Sequence, residues 1–101
     1  MAKTLKVAST SELAPGQCKV VSAEGTEIAL YNVDGKFYAL DNVCIHKGGP
    51  LGEGSLDGPI VTCPWHGWQY DVITGTNTSN PSLRVKSFKV SVNETDVLVE
   101  I

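Results

Sequence analysis

An all-β domain is the fold class this sequence predicts, on three observations: short segments alternating apolar and polar residues, turn formers between them, and almost no helical periodicity. With 101 residues, 42% hydrophobic and 19% charged, the chain suits one globular domain over residues 1–101 with a modest core. A chain of this size should bury roughly two thirds of its unfolded surface. Little room is left for an enclosed substrate cavity, so chemistry is expected near the surface.

The elements follow in order. The N-terminal "MAKTLKVASTSEL" lacks the apolar stretch of a secretory leader. In "STSELAPG" one helical turn is expected, capped by Ser9 or Thr10 and stopped by Pro15-Gly16. Residues 17–23 and 26–33 flank Glu24-Gly25, and 26–33 meets 36–41 across Asp34-Gly35, so two antiparallel hairpins are expected. The second turn is favoured because Gly tolerates positive φ and Asp accepts it better than most residues. Cys18 is expected to be a strand filler. Residues 47–59, "KGGPLGEGSLDGP", hold five glycines and two prolines and are expected to be loop throughout. Near the C-terminus, "SFKVSVN" places Phe88, Val90 and Val92 on one face against Lys89 and Ser91, with "DVLVEI" returning as a third hairpin.

Charge and cysteine usage exclude several classes. Eight Lys and Arg against eleven Asp and Glu give a net charge of −3, with no basic stripe of the kind that binds nucleic acid. No apolar run exceeds four residues, so no membrane span is expected. The three cysteines are an odd number, and two are spaced with histidines rather than with each other. That pattern points to metal chemistry in a reducing compartment, and hence to a cytoplasmic chain.

The candidate ligands are Cys44 and His46, as CxH, and Cys63 and His66, as CxxH. They include both histidines of the chain and two of its three cysteines, all within 23 positions and bracketed by turn formers. A mononuclear zinc would need four ligands converging at about 2.0–2.3 Å, commonly from pairs two to four residues apart, which CxxH satisfies and CxH strains. Side chains two apart on an extended segment stand roughly 6.5 Å from each other, a spacing better matched to two neighbouring metals. A binuclear cluster therefore fits both loops.

This arrangement resembles the Rieske iron–sulfur family, whose pattern is CxH, some fifteen to seventeen residues, then CxxH; here Lys47 to Thr62 makes sixteen. The similarity continues through "CPWHGWQYD" to Thr74-Gly75. The resemblance implies a [2Fe–2S] cluster with Cys44 and Cys63 on one iron and His46 and His66 on the other. It also implies a Rieske-like antiparallel β-sandwich or barrel base (residues 1–41 and 76–101) carrying a small loop-built cluster-binding subdomain (residues 42–75). The function implied is one-electron transport by a soluble monomer, from a ferredoxin reductase to a Rieske-type oxygenase. A Rieske-like small subunit of a larger oxidoreductase such as nitrite reductase, and a zinc-stabilised interaction module, are the alternatives. Trp65, Trp68, Leu51 and Pro81 are candidates either to shield the cluster or simply to pack, and Lys47 either to steer an acidic partner or to be solvated.

In the quinol-oxidising members of the family each cluster loop carries an extra Cys; the corresponding positions here are Gly49 and Trp65. Their serine donor to a cluster sulfur corresponds to Trp68, while Tyr70 keeps the tyrosine position. With a donor lost, the added electron is less stabilised. The midpoint potential is therefore expected in the lower part of the Rieske range of roughly −150 to +300 mV. Voltammetry should show Trp68→Ser raising it, and a wild-type value near the top of the range would contradict the assignment.

Overall fold

The computed structural model describes residues 4–42, 51–65 and 67–100. Nine strands are found among them: β1 (Thr4–Ser9), β2 (Cys18–Ala23), β3 (Thr26–Val33), β4 (Lys36–Asp41), β5 (Ser55–Asp57), β6 (Ile60–Thr62), β7 (Gln69–Asp71), β8 (Ser87–Asn93) and β9 (Asp96–Glu100). They form a six-stranded antiparallel sheet in the order β1-β9-β8-β4-β3-β2 and a three-stranded sheet in the order β5-β6-β7. The all-β expectation holds. Helical structure among the described residues is limited to single 3₁₀ turns at Thr10–Glu12 and Leu51–Glu53. The first lies where a helical turn was expected, with the Ser9 N–H donating to Glu12 Oε2 at 2.7 Å.

All three expected hairpins form, and their turns show why. Ala23 pairs with Thr26, Val33 with Lys36 and Asn93 with Asp96, leaving two residues in each turn. At the second turn Asp34 and Gly35 have φ of 52° and 92°, the left-handed pair that matches the twist of the flanking strands. In the third hairpin the apolar face is incomplete: Phe88 is buried, but Val92 is 48% exposed because it lies beyond the core near the turn.

Four strands, β1, β5, β6 and β7, fall outside the sequence-based expectations. β1 pairs with β9, and a register shift between Lys6 and Ala8 interrupts its apolar alternation, masking it as a strand. Part of the Gly-rich 47–59 stretch, expected to be loop, is β5. Asp57 pairs with Ile60 across a Gly58-Pro59 turn, and the half-buried Leu56 packs on the core. Pairing with β6 supplies the order that this segment's composition lacks. β7 then completes the small sheet, with Val61 opposite Tyr70.

β3 explains how the two sheets share one chain. Its "IALY" run is buried on both faces: Ile28 and Leu30 enter one apolar cluster with Leu13, Val21, Ala39, Phe88, Val97 and Val99. Ala29 and Tyr31 enter the other, with Leu40, Leu51, Val61, Cys63, Tyr70, Val72 and Val85. β4 alternates in the same sense, Phe37 and Ala39 toward the first cluster, Tyr38 and Leu40 toward the second. Each large aliphatic side chain so enclosed contributes roughly 1.5–3 kcal/mol. The second cluster is the floor on which the small sheet and its loops rest.

Close approach fixes that floor at Gly54, where a Cβ would collide with the Thr62 carbonyl. Gly54→Ala is expected to destabilise the protein by about 1–3 kcal/mol, read as a lowered midpoint in thermal unfolding. Ser55→Ala, at an exposed neighbouring position, should leave the midpoint nearly unchanged.

Candidate metal centre

Of the four candidate ligands, Cys63 lies within the described residues; Cys44, His46 and His66 lie outside them, as do Lys47 and Gly49. Cys63 follows directly on β6, and its side chain is 2% exposed within the second apolar cluster. Its N–H donates to the Trp68 carbonyl at 2.7 Å, closing the loop that contains His66 at its base. Pro64 and Trp65 are exposed on that loop, Trp65 by 51%. The cysteine thus points into protein while its neighbours face solvent.

Asn42, a residue to which no role was assigned from sequence, is the last before the 43–50 segment and bonds the first two after it. The Asn42 carbonyl accepts the Leu51 N–H at 2.7 Å, its Oδ1 accepts the Gly52 N–H at 2.8 Å, and its own N–H donates to the Glu27 carbonyl at 3.2 Å. Asn42 is only 4% exposed. The two ends of the 43–50 segment are thereby held together against β3. An Asx residue between an apolar strand and a Gly-rich segment was the available signal, since such side chains bond nearby backbone.

A third loop borders the site. Asn77 Oδ1 accepts the N–H groups of Ser79 and Asn80 at 2.9 and 3.0 Å, and the Asn77 N–H donates to the Leu83 carbonyl at 2.8 Å. Between this loop and Gly67, Trp68 and Gln69 lies a cleft of about 320 Å³. Pro81 is exposed at the loop's edge and Trp68 is half-buried against the second cluster. Leu51 is fully buried and belongs to the core.

Two polar groups in the second cluster bear on the cofactor. Cys18 is half-buried, its Sγ donates to the Gly54 carbonyl at 3.3 Å, and burial pushes its thiol pKa up, which makes it the inert filler expected. Tyr31 is fully enclosed, and its hydroxyl finds no hydrogen-bond partner among the described residues. Its ionisation is pushed up first by burial and then by the nearby thiols of Cys18 and Cys63. A buried hydroxyl left unpaired costs about 1–3 kcal/mol. An orphaned donor beside a buried candidate ligand fits a group that brings sulfur acceptors to this place.

Comparison with known proteins agrees with this chemistry. The Rieske [2Fe-2S] domain family matches residues 3–89. The chain is 38% identical over 97 residues to the ferredoxin CarAc of Metapseudomonas resinovorans, covering 94% of this chain and 91% of that protein. It is 32% identical over 100 residues to the ferredoxin component of a naphthalene 1,2-dioxygenase system of Pseudomonas putida, covering 98% and 96%. Among solved structures, a Sphingomonas yanoikuyae B1 ferredoxin superposes with a TM-score of 0.89 at 30% identity, over 98% of this chain and 99% of that one. The ferredoxin in a complex of reduced oxygenase and oxidised ferredoxin of carbazole 1,9a-dioxygenase gives 0.87 at 37% identity, over 95% and 91%. With a family match over most of its length and a buried cysteine where the CxxH motif begins, the chain belongs to the Rieske [2Fe-2S] domain family, and its cofactor is a [2Fe–2S] cluster.

Proposed function

We propose that Cys44, His46, Cys63 and His66 hold the [2Fe–2S] cluster, and that the protein carries single electrons from a reductase to a Rieske-type oxygenase in the cytoplasm. It acts as an electron-transfer component and not as a catalyst. The relatives named as ferredoxin components of dioxygenase systems support this role, as does the pairing of a similar ferredoxin with its oxygenase in one crystal complex. The observation that carries the site is Cys63, a thiol 2% exposed at the root of a hydrogen-bonded loop. When bound, the cluster accepts and releases one electron.

The chain's own residues divide the work. Residues 42–75 would form the part that holds the cluster, on a base made of the flanking segments. Asn42 ties the chain at Leu51 and Gly52, and the Cys63 N–H ties it at the Trp68 carbonyl. The second apolar cluster keeps water from the Cys63 side. The exposed Pro64 and Trp65 give a small surface beside His66 for a transient partner, as electron-transfer contacts require. No helix among the described residues is long and apolar enough to cross a membrane.

Iron and acid-labile sulfide analysis of the purified protein should give two of each, and Cys63→Ser should lose most of both. Zinc in their place would overturn the proposal. Stopped-flow mixing of the reduced protein with a Rieske-type oxygenase should show single-electron oxidation, and failure with every such acceptor would remove the partner assignment. Asn42→Ala leaves the buried Gly52 N–H unpaired and should lower holoprotein stability by about 1–3 kcal/mol. Cluster loss on heating should then begin earlier, followed by visible absorbance.

A further inference from the structure

Tyr31 has no role in the family pattern quoted above, yet it lies under the site. Cys18, Tyr31 and Tyr38 are direct cross-strand partners on β2, β3 and β4, so the three side chains form a row on the face that carries the second apolar cluster. Tyr31 is the central member and has no exposure. The Cys18 thiol hydrogen is directed to the Gly54 carbonyl, and the Tyr31 hydroxyl has no acceptor among the described residues. Buried hydroxyls in native proteins are nearly always paired, so an orphan of this kind marks a place where a partner binds.

We propose that the Tyr31 hydroxyl donates its hydrogen bond to a sulfur of the cluster on the Cys63 side, and so makes the cluster easier to reduce. This rests on Cys63 being a cluster ligand. Tyr31 is paired with Cys18 across β2 and β3 and is packed in the same apolar cluster as Cys63, with no exposure to water. Sulfur becomes a better acceptor as the cluster gains negative charge, so the bond strengthens on reduction and raises the potential. Tyr31 thus donates from the floor of the site instead of from its loops.

The test compares the wild-type holoprotein with Tyr31→Phe, which keeps the ring and removes only the hydroxyl, and with Tyr38→Phe as the control on the same face. Tyr31→Phe should shift the reduction equilibrium toward the oxidised form by roughly three- to tenfold, tenfold being about 59 mV for one electron. Tyr38→Phe should not shift it. Independently of any variant's folding, iron–sulfur stretching bands of the wild type in resonance Raman should move between H₂O and D₂O, and that shift should shrink in Tyr31→Phe. An unchanged potential in Tyr31→Phe with an intact cluster, or an isotope shift that the substitution does not reduce, would overturn the assignment and leave water or Cys18 as the hydroxyl's partner. A wild-type protein without iron and sulfide would instead overturn the cluster site itself.

Discussion

Burial of β3 on both faces is the constraint on which the rest of the structure depends. A strand at the surface of a small barrel ordinarily turns one face to solvent, and its side chains alternate accordingly. Here Ile28 and Leu30 fill the interior of the large sheet while Ala29 and Tyr31 receive the small sheet and its loops. The same backbone therefore positions the barrel core and the small sheet, and neither can shift without the other. In a 101-residue chain this arrangement recovers apolar burial that a single core would not supply.

On that floor a few hydrogen bonds tie the chain. Asn42 bonds Leu51 and Gly52, Cys63 bonds Trp68, and Asn77 shapes its own loop. Glycine-rich segments have little side chain to bury, so their order must come from backbone bonds and, in metalloproteins, from the ligands themselves. The buried Cys63 thiol and the exposed Trp65, two residues apart, give this stretch a protein-facing and a solvent-facing side. Such a division suits a carrier that must hold its cofactor permanently and its partners briefly.

Polar groups in the second apolar cluster carry the electronic consequences. Cys18 is satisfied locally by Gly54 and stays inert, whereas the hydroxyl of Tyr31 on the neighbouring strand has no partner among the described residues. Hydrogen bonds to cluster sulfur are among the few means a protein has of adjusting a redox potential without changing ligands. Residues below the loops can contribute to that adjustment as readily as residues within them.

The sequence by itself determined the β class, the three hairpins at Glu24-Gly25, Asp34-Gly35 and Glu94-Thr95, and the two cysteine–histidine motifs. These are local signals: alternation, turn residues and ligand spacing act within a few positions of one another. Tertiary structure alone decided the remainder. β1 and β5 become strands because β9 and β6 lie beside them, which neither segment's composition reveals. Asn42 anchors a loop by reaching residues nine and ten positions away, and Tyr31 meets the Cys63 region only because β3 underlies the small sheet. Long-range pairing and two-sided burial arise from how the chain returns on itself, and that information is distributed over contacts that no short stretch of sequence contains.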